Sequence, residues 1–183
     1  LFPTAIGNSI RYLTSEEKDF FYKLRKEPRT QNSGNTFTKD NHVLDRPELK
    51  DLKIDLTDIV NNYLEKVIQP AFDVKSYITI SWVNYTEEGQ WHHDHSHPNS
   101  ILSGVYYIDT DETDRIIFTN PNILPYTLDI RPNEFNHWNS KNWWLSTPKN
   151  NVFIFPSSLV HKVEATTNKN TRVSLSFNTF LKG

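Results

Sequence analysis

Four histidines crowd one short stretch of the chain, GQWHHDHSHPNSILSGVYYI, at residues 89–108. They are His92, His93, His95 and His97, out of seven histidines in the whole sequence. Imidazole nitrogens bind zinc, copper and iron, whereas a packed core rarely holds so many polar rings. The chain contains no cysteine, so a metal ion here would be held by histidines and carboxylates. This stretch predicts a metal site.

The spacing of the histidines decides which of them can share one ion. Alternate side chains of an extended strand point to the same face. His93, His95 and His97 would therefore share one face, and the opposite face would carry His92, Asp94 and Ser96. Two pairs of ligands remain open on spacing alone. One is His92 with Asp94, a His-x-Asp pair, and the other is His95 with His97, a His-x-His pair.

A third ligand must come from elsewhere, and His161 is the best candidate because it lies in a predicted strand. His42 and His137 lie in predicted loops and are weaker candidates. With His161, the His-x-Asp pair gives the two histidines and one carboxylate of non-haem Fe(II) oxygenases. The His-x-His pair gives three histidines, which suit zinc, copper or iron.

A possible anion site follows shortly after His161. Arg172 lies 11 residues further along the chain, and Ser174 shares its face of a predicted strand. A guanidinium matches the two oxygens of a carboxylate, and a neighbouring hydroxyl adds a donor. A strand, a TTNKN turn and a second strand would bring the metal ligand and this carboxylate receptor into one pocket.

The elements that position these residues form a helical front, over residues 1–70, and a strand-rich remainder. Thr14 and Glu17 form a capping box, which predicts the start of a helix. A second apolar stripe begins at Pro47 and ends at Pro70, where we predict another helix. The polar residues 29–42 are predicted to be a loop.

Short β-branched runs dominate the rest of the chain. The predicted strands cover 76–85, a strand through QWHHDHSH to Pro98, and then 101–108, 115–118, 151–155, 159–165 and 171–180. Such a pattern predicts a mainly β fold with N-terminal helices, a sandwich or jelly roll. Residues 121–150 are rich in Pro, Asn and Trp and predict long loops, where Trp138, Trp143 and Trp144 could form a substrate lid.

Composition excludes several classes of function. The net charge of −2 and the pI of about 6.4 leave no basic excess for a nucleic-acid partner. No apolar run reaches the roughly 20 residues that a membrane helix needs. No signal peptide is visible at the start, so we expect a soluble, cytoplasmic protein. The sequence does not indicate an oligomeric state.

The segments GQWHHDHSHPNSILSGVYYI, IIFTNP and FIFPSSLVHKVEATTNKNTRVSLSFNTF resemble the 2-oxoglutarate/Fe(II)-dependent dioxygenases. More narrowly, they resemble a subfamily of such oxygenases from bacteria and phages that carries a His-x-His-Pro motif. The resemblance implies one oxygenase domain over residues 1–183, with its double-stranded β-helix core at 76–181. It implies Fe(II) as the metal and 2-oxoglutarate as the cosubstrate.

The resemblance also implies roles for individual residues. It favours His95, His97 and His161 as the metal ligands over the alternative that uses His92 and Asp94. It implies that Arg172, together with Ser174, binds the distal carboxylate of 2-oxoglutarate. Tyr107 and Tyr85 match positions that often contact this cosubstrate in related enzymes.

One departure from the family pattern concerns charge. His97 stands where the family normally has an aspartate, so the Fe(II) site is more positive by one charge.

The implied activity is hydroxylation of a small molecule or a peptide, with prolyl hydroxylation as one form. It is coupled to decarboxylation of 2-oxoglutarate to succinate. Two alternatives remain: a non-catalytic or metal-only binding module on the same barrel, and a three-histidine cupin-like enzyme that needs no keto acid. Arg172 and Ser174 argue against the second alternative, because their predicted carboxylate site would then have no ligand.

Overall fold

The computed structural model describes residues 3–121 and 131–183. In chain order the elements are β1 (Gly7–Ile10), α1 (Ser15–Leu24), β2 (Arg29–Gln31), β3 (Thr36–Thr38), α2 (Lys50–Tyr63), β4 (Lys75–Thr86), β5 (His92–His95), β6 (Leu102–Asp109), β7 (Arg115–Thr119), β8 (Asn142–Ser146), β9 (Asn151–Pro156), β10 (His161–Val163) and β11 (Arg172–Lys182). Two 3₁₀ turns, Val43–Asp45 and Pro47–Leu49, precede α2, and a π-helical segment, Leu64–Ile68, follows it.

The described strands form two antiparallel sheets that pack face to face. The larger sheet has the order β1-β9-β6-β11-β4-β3-β2, and the smaller has the order β5-β10-β7-β8. Buried side chains of both sheets, such as Phe155 and Phe118, form one cluster between them. This arrangement confirms the prediction of a mainly β jelly roll, the double-stranded β-helix, with N-terminal helices.

The helices cover the outer face of the larger sheet. The capping box at the start of α1 is present, since Glu17 N–H donates to Thr14 Oγ1 at 3.2 Å and Thr14 N–H donates to the Glu17 carboxylate at 2.8 Å. Leucines of α1 and α2 then pack against β4 and β11 in the main core. Burying these apolar stripes stabilises short helices that would be marginal in isolation.

The strand β4 shows how the larger sheet separates two environments. Val83 and Tyr85 face the helical layer, and Asn84 and Thr86 line a cavity between the sheets. This alternation follows from the period of two along a strand. It places a polar, cavity-facing row next to an apolar, helix-facing row on the same strand.

Several boundaries differ from the predictions. Residues 29–42 contain the hairpin of β2 and β3, which joins the edge of β4, where a loop was predicted. Strand β8 lies in the region predicted as loops, of which residues 122–130 are outside the described part of the chain. These missed strands are only three to five residues long, so pairing with a neighbouring strand rather than local pattern decides their structure.

The chain approaches itself closely at Gly104 on β6. A Cβ at this position would lie 2.1 Å from Cζ of Phe177 on β11, so only glycine leaves room for the ring.

Among the described helices, none is long and apolar enough to cross a membrane.

Candidate metal centre and adjoining cavity

Three histidines converge at one end of the space between the sheets. His95 and His161 are directly paired across β5 and β10, and His97 follows just after the end of β5. The ring centroids lie 4.3 Å apart for His95 and His161, 5.1 Å for His95 and His97, and 5.2 Å for His97 and His161. One nitrogen of each ring lies within 4.8 Å of the others, a spacing that suits a shared metal ion.

Backbone carbonyls orient two of the three rings. His95 Nδ1–H donates to the carbonyl of His93 at 2.7 Å, and His161 Nδ1–H donates to the carbonyl of Leu159 at 2.9 Å. Each contact leaves Nε2 with a free lone pair, which is the arrangement usual for histidines that bind a metal. The chemistry of this donor set therefore fits a divalent cation.

The His97 ring is held differently. It packs against the Trp82 ring at a centroid distance of 5.7 Å, and the Asn178 amide nitrogen lies 3.5 Å from its Nδ1. The longer polar contact constrains this ring less than a carbonyl at hydrogen-bond distance would. His97 is thus the more adjustable member of the cluster.

Burial keeps these imidazoles neutral. Burial, together with a smaller effect of the neighbouring His95 imidazole, lowers the pKa of His161 to about 3 and that of His97 to about 4. Burial also lowers the pKa of His95. Neutral rings keep the lone pairs that a metal ion requires.

A β-bulge changes the predicted alternation along β5. His161 pairs with His95 and Val163 pairs with His92, so β5 has one more residue than β10 between the two pairs. As a result His92 lies on the same side as His95, and their rings stack at 4.2 Å. The prediction that these two side chains face opposite ways is wrong, because the bulge shifts the period by one residue.

The same bulge does not bring Asp94 into the cluster. Its side chain is exposed, and its carboxylate lies 3.4 Å from Lys162 Nζ at the surface. The structure therefore brings together His95, His97 and His161, and it keeps Asp94 apart from them.

A cavity extends from the three histidines between the sheets. Arg172, Ser174 and Tyr107 line it, and they lie on neighbouring strands, since Ser174 on β11 pairs with Tyr107 on β6. Arg172 pairs with Thr86 on β4, which lines the cavity too. The cluster of three histidines and the predicted carboxylate receptor thus line one cavity.

Arg172 is the main charged group in this cavity. It is buried, one of its terminal nitrogens donates to the Arg115 carbonyl at 3.3 Å, and its Nε has no hydrogen-bond partner in the described structure. No carboxylate of the described residues forms an ion pair with it. A buried guanidinium is costly unless it is paired, so this arrangement fits a carboxylate-bearing ligand such as 2-oxoglutarate.

Tyr107 lies beside that guanidinium. Arg172 Cζ is 5.3 Å from the centroid of the Tyr107 ring. Burial raises the pKa of the Tyr107 hydroxyl, and the nearby positive charge opposes that shift. The hydroxyl therefore stays protonated and can donate a hydrogen bond inside the cavity.

Tyr85 does not line the cavity, which corrects the expectation drawn for it. It occupies an odd position between Asn84 and Thr86, so its ring points to the helix side and packs in the main core. The Arg29 guanidinium stacks on this ring at 3.9 Å. Burial raises the pKa of Tyr85 to about 12.

The hairpin tip, residues 32–35, reaches the cavity although its sequence predicted only a loop. Asn35 lines the cavity, is fully buried, and has no hydrogen-bond partner for either side-chain atom. The Asn32 amide nitrogen lies 3.1 Å from His92 Nε2. Gly34, with φ of +97°, accepts a hydrogen bond from Trp91 N–H at 3.1 Å. No sequence signal marked these residues, because their position depends on the long-range pairing of β3 with β4.

The remaining predicted candidates lie elsewhere. His42 and His137 are exposed and outside the cavity. Trp138 is exposed in a loop, and Trp143 and Trp144 lie on the edge strand β8 rather than in a loop. The Arg115 guanidinium lies 4.2 Å from the centroid of the Trp144 ring.

A jelly roll that encloses three neutral imidazoles and a buried guanidinium defines a metal-binding enzyme scaffold of the non-haem oxygenase kind. The family described as "Putative 2OG-Fe(II) oxygenase" matches residues 80–178, more than half of the chain. The chain belongs to this family, and it is a 2-oxoglutarate-dependent oxygenase whose metal is Fe(II). The narrower link to bacterial and phage members stays a prediction.

Solved structures support the same fold. A 2OG-Fe(II) oxygenase family oxidoreductase from Burkholderia pseudomallei has a TM-score of 0.63 at 12% identity, covering 95% of this chain and 83% of its own. HygX from Streptomyces hygroscopicus, solved with nickel, 2-oxoglutarate and hygromycin B bound, has a TM-score of 0.65 at 8% identity. The match covers 96% of this chain and 82% of HygX. A Pseudomonas putida prolyl-4-hydroxylase has a TM-score of 0.63 at 9% identity. The match covers 98% of this chain and 94% of the hydroxylase. Among curated proteins, no sequence matches the chain.

Proposed function

We propose that this protein hydroxylates a small molecule or a peptide, with Fe(II) bound by His95, His97 and His161 and 2-oxoglutarate bound by Arg172 and Ser174. One observation carries the proposal. Three imidazoles with convergent nitrogens and a buried guanidinium without a carboxylate partner line the same cavity. A cation would pair with the imidazoles at one end of this cavity, and a dianionic keto acid would pair with the guanidinium at the other end.

The three histidines would hold the ion without contributing charge. Carbonyl contacts fix the rings of His95 and His161, so both present Nε2 without reorganisation on binding. The positive charge of the ion is then offset by the cosubstrate rather than by a protein carboxylate. Metal and 2-oxoglutarate should therefore bind with positive cooperativity, because each supplies the charge that the other lacks.

At the other end of the cavity, Arg172 would form paired, charge-assisted hydrogen bonds with the distal carboxylate. Ser174 and the protonated Tyr107 hydroxyl lie on the neighbouring positions of β11 and β6 and would supply further donors. These contacts orient the cosubstrate along the cavity toward the histidines. When bound, Fe(II) and 2-oxoglutarate supply oxygen activation coupled to formation of succinate and carbon dioxide.

Asn35 would provide a polar contact for the organic ligand. Its buried carboxamide offers two N–H donors and a carbonyl acceptor, all unpaired within the described chain. A buried polar group without a partner is unfavourable, so a ligand that pairs with it gains affinity and specificity. Two neighbours illustrate the small-molecule and peptide classes proposed here: HygX was solved with hygromycin B bound, and the Pseudomonas putida neighbour is a prolyl-4-hydroxylase.

The test is an anaerobic titration of the metal-free protein with Fe(II) and then 2-oxoglutarate. Chelation of Fe(II) by the keto acid gives a visible charge-transfer band, which we expect in the unmodified protein. His161→Ala and Arg172→Ala should each reduce the band, whereas Arg131→Ala, at an exposed position, should leave it unchanged. Absence of the band in the unmodified protein would overturn the proposed site.

Succinate formation distinguishes an oxygenase from a binding module on the same scaffold. We expect succinate in air when small-molecule and peptide mixtures are supplied, and no succinate without Fe(II). A band without succinate from any mixture favours the binding module.

A further inference from the structure

We infer that the chain holds a second position for a divalent metal ion, formed by His92, His93 and His95 and distinct from the cluster that includes His161. One nitrogen of each of these three rings lies within 4.8 Å of the others. All three side chains are partly exposed, whereas His161 is buried. We call this group the outer position, and the group of His95, His97 and His161 the inner position.

The β-bulge creates the outer position. Adjacent residues of a regular strand point to opposite faces, so His92 and His93 would not meet. The extra residue in β5 breaks that rule and gathers the rings, with centroid distances of 5.2 Å for His92 and His93, 4.2 Å for His92 and His95, and 5.2 Å for His93 and His95. Bulges recur where a side chain must be redirected toward a functional site.

The His93 ring supplies a second, independent observation. Its Nδ1 is buried and has no hydrogen-bond partner among the described residues. Such an atom costs free energy unless something binds it. The other two rings each have one contact, since the Asn32 amide nitrogen lies 3.1 Å from His92 Nε2 and the His93 carbonyl accepts from His95 Nδ1–H. An ion at the outer position displaces the Asn32 contact, binds His95 through Nε2 and satisfies His93 Nδ1.

The two positions share His95, and this fixes how they relate. Because His95 Nδ1–H is donated to a carbonyl, only Nε2 is free to bind an ion. One ion at a time therefore occupies either the inner or the outer position. The outer position, with its more accessible rings, receives the ion from solvent and passes it inward through His95.

Co(II) titration of the full chain, without 2-oxoglutarate and followed by the visible d–d absorption, tests this inference. The variant His97→Gln/His161→Gln removes the inner position and leaves the outer one. We expect it to bind one equivalent of Co(II) with saturation. Adding His93→Gln should then weaken binding by about 100-fold, because a whole ligand is lost. Adding His42→Gln, at an exposed site elsewhere, should change nothing.

Absence of saturable Co(II) binding in the double variant would overturn the outer position, as would equal affinity with and without His93. A different result would count against the inner position. If that position does not bind metal, the unmodified chain will bind Co(II) no more tightly than the double variant.

If the double variant does not fold, as judged by circular dichroism, the single variant His93→Gln decides by kinetics. We expect about tenfold slower Co(II) uptake in stopped-flow experiments at nearly unchanged equilibrium affinity. Uptake at the rate of the unmodified chain would refute the inference.

Discussion

His95 and His161 occupy directly paired positions of two antiparallel strands, β5 and β10, and their ring centroids are 4.3 Å apart. Hydrogen bonds between the strands therefore hold two of the three inner rings at a fixed separation. His97 lies beyond the end of β5, in a segment without regular structure. The inner position thus combines two rigid corners with one adjustable corner, which makes His97 the best site for altering its charge.

Replacing His97 by Asp should tighten metal binding. The substitution adds a full negative charge beside the cation, and we expect about tenfold higher Co(II) affinity than in the unmodified protein. Its matched control is His97→Asn, which has the same size without the charge and should bind more weakly. Isothermal titration with Co(II) measures both. Equal affinities of the Asp and Asn variants would contradict the electrostatic argument.

Replacing Arg172 should act on 2-oxoglutarate and not on the metal. Loss of the charge-assisted hydrogen bonds in Arg172→Ala should weaken 2-oxoglutarate binding by about 100-fold, and Arg172→Lys should lie between because it keeps the charge but not the planar fork. Titration of Mn(II)-loaded protein with 2-oxoglutarate measures the effect. Arg131→Ala serves as the control. Unchanged 2-oxoglutarate affinity in Arg172→Ala would remove this residue from the site.

The metal-free protein should lose stability as the pH falls below about 6.5, the ordinary pKa of histidine in an unfolded chain. In the folded chain, burial lowers the pKa of His161 to about 3 and of His97 to about 4. Between these values the unfolded chain takes up protons that the folded chain does not, so acid favours unfolding. Each such histidine contributes a slope of up to about 1.4 kcal/mol per pH unit.

Urea unfolding between pH 7.5 and pH 5, with a chelator present, measures that slope. His161→Gln should show a shallower dependence on pH than the unmodified protein, because one buried titrating ring is gone. Identical slopes for the two proteins would argue against this explanation.

Asn35→Leu should stabilise the ligand-free protein. The two residues are similar in size, and the change removes a buried carboxamide whose atoms have no partner, so we expect a gain of about 1 kcal/mol in the free energy of unfolding. Asn178→Leu is the contrast: its carboxamide is also buried but accepts a hydrogen bond from Ser103 at 2.9 Å, so this change should destabilise. Thermal melts measure both. A lower melting temperature for Asn35→Leu would show that the group is satisfied in solution.

Local pattern predicted the parts of the molecule whose structure is determined locally. The capping box at Thr14 and the β-branched runs around residues 76–85 and 171–180 led to the observed helix α1 and strands β4 and β11. The layered fold followed from their order. These features depend on propensity and periodicity, which a sequence displays directly.

Long-range pairing and bulges set the features that were missed. The hairpin with Asn35 depends on the edge of β4, and the alternation along β5 fails because of one extra residue opposite β10. Tyr85 was expected near the cosubstrate, but the phase of β4 relative to the helices turns it to the other face. The position of a bulge is not visible in the residue pattern of the strand that carries it, because the extra residue is defined by the pairing with the neighbouring strand.

The hairpin that carries Asn32, Gly34 and Asn35 precedes residue 80, where the match to the oxygenase family begins. The strands that carry the proposed metal ligands and the hairpin that lines one side of the same cavity are therefore separate stretches of sequence. The hairpin can therefore vary in sequence without any change to the proposed metal ligands. A library randomised at these positions alone is the natural starting point for redirecting the enzyme.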